Sequence, residues 1–252
     1  MVKEYWEDEG RDSPSKLTGP DARALVAIPA LEALLPKDLR GVRALDACCG
    51  EGARAAALAK RGASVAIMDD SEGTLNECFQ RLTMEGLHAD LVVGTPDARS
   101  DIPDESFDLI VGGEEMLDIV DLGKALLNLQ RAMRPGGALV LTLPHPVLGS
   151  ATAITGEKGA RQLVVRDYFA PDARGPRNRT LAECINPLAK AGLVIESVVE
   201  PRPPERLKKA GRTNWVYFDH VPQYLVLIAR KPGTGASALK LAWISRALGN
   251  DE

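Results

Sequence analysis

The feature that most constrains this chain is a rhythm in which short apolar runs alternate with stretches of helical spacing. The runs at 42–45, 64–68, 91–93, 107–111 and 138–143 read as strands, and 53–61, 72–84 and 117–133 carry helical periodicity. Parallel strands need a crossover, usually a helix, and crossovers of one hand place helices on both faces of the sheet. The rhythm therefore predicts an α/β, doubly wound, mostly parallel sheet. At 252 residues and 45% hydrophobic composition, the chain can bury one substantial core.

Beyond residue 143 the pattern loosens. The segment 145–180 is rich in Gly, Pro, Arg and Asp, with 162–165 as one short strand, and such an insertion past a strand's carboxyl end lies where ligands bind in open sheets. Helical spacing returns at 181–191. The runs 193–199 and 224–229 read as two more strands, expected to pair antiparallel and to complete a seven-stranded sheet with an antiparallel last strand. The expected organisation is a single domain over 1–232, with an N-terminal lid and helix (1–40), a ligand-binding core (41–147) and a substrate-cap insertion (148–180). A tail follows at 233–252.

Charge and cysteine usage narrow the function classes. The net charge is -4 and the Lys and Arg residues are scattered, so nucleic acid is not expected as a partner. Cys48, Cys49, Cys78 and Cys184 lack CxxC spacing, so they read as small apolar residues in a reducing compartment, and no metal is expected. The start, MVKEYWEDEGRD, is charged, and no run approaches the length of a membrane span. The expectation is a cytoplasmic protein with no membrane partner, monomeric or homodimeric.

The chemistry concentrates in RALDACCGEGARAAALAKRGASVAIMDDS, from Arg43 to Ser71. A phosphate-gripping loop would need Gly-x-x-x-x-Gly-Lys-Ser/Thr, which is absent. Gly50 to Ala55 does fit Gly-x-Gly-x-x-Ala of dinucleotide folds, but Asp46, at a strand end four residues earlier, would repel a pyrophosphate. A cationic ligand without phosphate suits it better. S-adenosylmethionine, with an ammonium, a sulfonium and a ribose diol, has that character.

The segment LDACCGEG resembles motif I of the class I S-adenosylmethionine-dependent methyltransferases, an acid followed by Gly-x-Gly-x-Gly. The resemblance implies that Asp46 lies near the cofactor's methionine end and that Gly50 and Gly52 let the backbone approach it. Cys48 stands where the first glycine usually does. VAIMDDS resembles the second-strand motif, which implies that Asp69 binds both ribose hydroxyls and that Asp70 and Ser71 line the adenosine pocket. VVGTPDARSDIPDESFDLIVGG resembles the third turn and fourth strand, implying Asp97 and Ala98 at the adenine amino group and Gly112 beside the cofactor. NLQRAMRPGGALVLTLPHP resembles the helix, turn and fifth strand, and the downstream outline is similar to that of small-molecule members, the methyltransferase type 11-like branch.

The acceptor side is read from single residues. After the fourth strand stands Gly112-Gly113-Glu114-Glu115 in place of the Asp/Asn-Pro-Pro-aromatic tetrapeptide of nucleic-acid adenine methyltransferases. Glu115, with Glu114, is a candidate for orienting a substrate amine or hydroxyl, or an acid that opens a helix. His145, just past the fifth strand, is the candidate general base. Tyr5 and Trp6 are candidates for a lid, and Trp215, Tyr217 and Phe218 for the wall of an apolar substrate site. The expected function is methyl transfer from S-adenosylmethionine to an O, N or C atom of a small-molecule acceptor, in secondary metabolism. The alternatives are a protein of this fold that binds the cofactor without transferring methyl, as cyclisation catalyst or regulatory module, and a NAD-dependent oxidoreductase.

Overall fold

The structure, a computed structural model, describes residues 3–4, 23–98, 102–155, 161–170, 179–202 and 221–233. Its strands are β1 (Lys3–Glu4), β2 (Arg43–Ala47), β3 (Ser64–Asp69), β4 (Ala89–Val93), β5 (Phe107–Gly112), β6 (Met133–Pro144), β7 (Ala151–Thr155), β8 (Arg161–Val165), β9 (Val194–Val199) and β10 (Tyr224–Arg230). The helices are α1 (Ile28–Leu34, entered through a wide turn at Arg23–Ala27), α2 (Ala53–Ala59), α3 (Glu72–Met84), α4 (Leu122–Ala132) and α5 (Leu181–Lys190).

Seven strands form the main sheet in the order β4-β3-β2-β5-β6-β10-β9. All neighbours from β4 to β6 are parallel, and β10 runs antiparallel to both β6 and β9. The expected architecture is the observed one. Strands buried on both faces favour near-continuous apolar runs, and β5 and β10 are buried almost throughout, with Asp108 of β5 satisfied by the Arg43 N–H and Arg134. One core packs Leu45, Ile110, Leu139 and Leu227 against α4 and α5, and the other packs Ala44, Val111, Val140 and Val226 against α1, α2 and α3.

Three local features depart from the sequence reading. The helix expected over 117–133 is divided: a short helical turn covers Glu114–Asp118, Ile119 is extended, and α4 begins only at Leu122. Asp121 causes the restart, because its side chain accepts the Lys124 N–H at 2.9 Å and caps α4. The Arg134-Pro135-Gly136-Gly137 turn is absorbed into the start of β6 as an irregularity in its pairing with β5. It is held there by hydrogen bonds exchanged between Gly136, Gly137 and Lys231.

The third departure is a second sheet, β1-β7-β8, antiparallel throughout, of which only the strand at 162–165 was expected. Its β7–β8 hairpin follows β6 and places the start of the insertion at the carboxyl end of the main sheet.

Candidate functional site

Register decides which residues meet at the carboxyl edge of the sheet. Ala47 pairs with Met68 on one side and Gly112 on the other, and Asp69 pairs with Val93. The turn 48–52, Asp69, the turn after Val93 and Gly113 therefore emerge side by side from β2, β3, β4 and β5. The Cys49 N–H bonds back to the Met68 carbonyl at 2.9 Å, tying the turn to β3.

Two glycines shape that turn. Gly50 has φ +50 and Gly52 φ +77, left-handed conformations that side chains disfavour. A Cβ at Gly52 would lie 2.5 Å from the Cys78 Sγ, so α3 leaves no room for one. Cys48, in the place of the usual first glycine, adopts φ +59 and so has a glycine's conformation with a side chain attached. Burial pushes the Cys48 thiol up to about 12, which keeps it a neutral, unreactive filler. All four cysteines are buried free thiols.

Asp46 is wholly buried. Its Oδ1 takes the Arg54 Nε–H at 2.9 Å and its Oδ2 the Ala55 N–H at 3.1 Å. Burial, opposed by Arg54, raises its carboxyl to about 6, so the group is mainly ionised at neutral pH. Arg54 also donates to the Cys48 carbonyl at 2.5 Å and pairs with the Glu115 Oε2 at 3.2 Å. Burial opposes its charge, but Asp46 and Glu115 outweigh that and hold the guanidinium above its ordinary value. Arg54 is the main residue that the sequence reading missed. Its signal was an arginine in an otherwise apolar, alanine-rich helix beside the glycine turn.

The network continues outward. Glu115 Oε1 lies 3.3 Å from an Arg23 Nη, and Arg23 also pairs with Glu114. Arg23, Ala27, Leu31, Gly113, Thr142 and Tyr224 line a cavity between the N-terminal helical segment and the ends of β5, β6 and β10.

Asp69 is half-buried at the end of β3. Burial raises its carboxyl above the ordinary range, partly offset by the N–H groups of Ser71, at 3.1 Å, and Gly50. Ser71 is the N-cap of α3, accepting the Thr74 N–H at 3.2 Å, and Asp70 is exposed. Asp97, in the turn after β4, accepts the Asp121 N–H at 3.4 Å. Its carboxyl is held below the ordinary range chiefly by the Thr95 side chain. Ala98 beside it is exposed, and Gly112 is buried in the sheet.

This edge can be set against known proteins. A family model described as a methyltransferase domain matches residues 44–137. The crystal structure of an S-adenosylmethionine-dependent methyltransferase from Mesorhizobium loti superposes with a TM-score of 0.68 at 25% identity, covering 80% of this chain and 96% of that one. Residues 44–137 thus match a methyltransferase domain, and the fold is that of S-adenosylmethionine-dependent methyltransferases. Among curated relatives, a ubiquinone biosynthesis O-methyltransferase of Sinorhizobium fredii is 27% identical over 61% of this chain and 64% of its own length. A demethylmenaquinone methyltransferase of Clavibacter sepedonicus is 36% identical over 43% of this chain and 45% of its own length. The chain thus spans less than two thirds of the curated relatives it matches.

Within this methyltransferase fold, His145 is buried and engaged at both nitrogens. The Val147 N–H donates to Nδ1 at 3.2 Å, so Nε2 carries the proton and faces the Glu200 Oε1 at 3.0 Å. Burial lowers its pKa, against the pull of Glu200. Both ring nitrogens thus have protein partners in this geometry. Glu115 does open a helical turn and, through Arg54 and Arg23, joins the glycine turn to the N-terminal segment. Tyr5, Trp6, Trp215, Tyr217 and Phe218 lie outside the described residues. No group of three or more His, Cys, Asp or Glu among the described residues has the geometry to hold a metal, and no described helix is long and apolar enough to cross a membrane.

Proposed function

We propose that the chain transfers the methyl group of S-adenosylmethionine to an atom of a small-molecule acceptor. One observation carries the reading: the parallel register sets the glycine turn, the Asp69 carboxylate and the Asp97 turn along one sheet edge in the order such a cofactor requires. The residues fit the ligand, since Gly50 presents bare backbone and Asp69 a half-buried carboxylate beside it. Asp69 would take the ribose hydroxyls, with Asp70 and Ser71 along the adenosine and Asp97 and Ala98 toward the adenine. Asp46 then acts at one remove, since both its oxygens are used to hold Arg54 and α2, and Arg54 in turn holds the Cys48 carbonyl.

When bound, S-adenosylmethionine supplies a methyl carbon already activated by positive sulfur. The chain's task is to align an acceptor with it and exclude water, and alignment can contribute roughly 7–11 kcal/mol. The cavity beneath α1 is where an acceptor would approach Gly113. The names of the relatives direct the first acceptor screen to ubiquinone and menaquinone precursors, with oxygen acceptors ahead of carbon. His145, locked between Val147 and Glu200, fits a positioning role for the loop after β6.

Calorimetric titration with S-adenosylmethionine, S-adenosylhomocysteine and NAD tests the reading. We expect binding of the first two and not of NAD, followed by S-adenosylhomocysteine release when an acceptor is supplied. Preferential binding of NAD would overturn it. Cofactor binding without S-adenosylhomocysteine formation across the acceptor panel would favour a binding or cyclisation role.

A further inference from the structure

We propose that Glu115, and not Asp46, is the carboxylate that holds the α-ammonium of the cofactor's methionine end. The inference rests on the methyltransferase reading and assigns one charge within it.

The resemblance to motif I points to Asp46, the motif acid near the cofactor's methionine end. The fold closes that route: Asp46 has no exposed surface, and its two oxygens are spent on Arg54 Nε and the Ala55 N–H. Glu115 stands where Asp46 cannot reach. Its Oε1 is 2.8 Å from the point a Gly50 Cβ would occupy, and its Oε2 is 2.5 Å from the same point at Gly113. The carboxylate therefore bridges the bare backbone of the two turns, after β2 and after β5, between which the cofactor's amino-acid end must pass. Its side chain keeps 22% exposure, whereas Asp46 has none.

Two further observations concern charge. Glu115 Oε2 is buried and makes no hydrogen bond, although Arg54 Nη1 is 3.2 Å away. A desolvated carboxylate oxygen without a donor is costly, and an ammonium offers three donors. Among the described residues of the linked cluster, Asp46, Glu114 and Glu115 face Arg23 and Arg54, which leaves one negative charge in excess. A single cationic group completes it.

The test compares S-adenosylhomocysteine with its analogue lacking the α-amino group, by calorimetric titration of the full chain and its Glu115→Gln, Glu115→Asp and Asp46→Asn variants. The parent should prefer the amino compound by roughly ten- to hundredfold, as expected for a charge-assisted hydrogen bond. Glu115→Gln should abolish the preference by weakening the amino compound alone. Equal weakening of both ligands would mean that Glu115 only props Arg54, and would overturn the proposal. So would a parent that binds both equally, or a preference lost in Asp46→Asn and kept in Glu115→Gln. If circular dichroism shows Glu115→Gln to be unfolded, Glu115→Asp, which keeps the charge and withdraws it by one carbon, reads the same preference and should cut it at least about threefold. A parent that binds neither ligand would refute the cofactor assignment itself, an outcome distinct from misplacing the ammonium.

Discussion

Cys48 offers a sharp test of the loop, because replacing it should reverse the usual order of two small residues. It is a buried residue at φ +59, with its Sγ 3.9 Å from the Met116 Sδ. An L-residue in this left-handed region costs about 1–2 kcal/mol, and glycine escapes that cost. Cys48→Ala removes the sulfur's packing, about 1 kcal/mol for a group near methylene size, and keeps the strain. Cys48→Gly loses the same packing and the Cβ, and gains chain entropy in the unfolded state, but it releases the strain. Against a usual alanine advantage of roughly 0.5–1 kcal/mol, the released strain leaves glycine ahead by roughly 0.5–1 kcal/mol. Urea unfolding followed by circular dichroism, at unchanged slope, resolves a difference of this size. Glycine should be the more stable variant and should retain S-adenosylmethionine binding. An alanine variant as stable as the glycine one would refute the claim that strain at this residue shapes the turn.

Other substitutions probe the remaining parts of the site. Gly52→Ala should destabilise by about 1–3 kcal/mol, since its Cβ would meet the Cys78 Sγ at 2.5 Å in a left-handed conformation; a thermal melt within a degree of the parent would contradict this. Asp69→Ala should weaken both S-adenosylmethionine and S-adenosylhomocysteine by roughly 1.5–3 kcal/mol per lost hydrogen bond, and unchanged titrations would show the ribose to be elsewhere. Arg54→Met should cost about 3–5 kcal/mol in chemical denaturation, because it strands the Asp46 carboxylate in the core; a mild effect would mean that Asp46 is held neutral. His145 gives the pH test. Its folded pKa lies below the ordinary 6.5, so the unfolded chain takes up the proton first, and the stability of the neutral ring, complete above pH 6.5, is lost as pH falls below it. His145→Gln should flatten the acid side of the stability curve without weakening cofactor binding, and an unaltered pH profile would remove the ring from this role.

What local sequence determined here is the alternation of strands and helices and the residues at the strand ends. The α3 span Glu72–Met84 agrees with its helical periodicity and the Ser71 cap, and β5 with its run of apolar residues interrupted by Asp108 alone. These follow from neighbours in the chain: side-chain period, capping groups and the conformational freedom of glycine. The positions of Asp69 and Gly112 at the sheet edge follow in turn, because a parallel strand's last residue emerges there whatever its partners are.

Tertiary structure decided the rest. Nothing local indicates that the Arg54 guanidinium turns inward to Asp46, and helix propensity alone would leave it in solvent. Burial of the Asp46 carboxylate makes the pairing favourable, and that burial depends on strands separated by long stretches of chain. The same holds for Lys3–Glu4 pairing with β7, for Glu200 facing His145 across 55 residues, and for Arg23 meeting Glu114 and Glu115. A carboxylate at a strand end can be read from the chain, but whether it faces a ligand or a buried guanidinium depends on which distant groups the closed core brings within hydrogen-bonding distance.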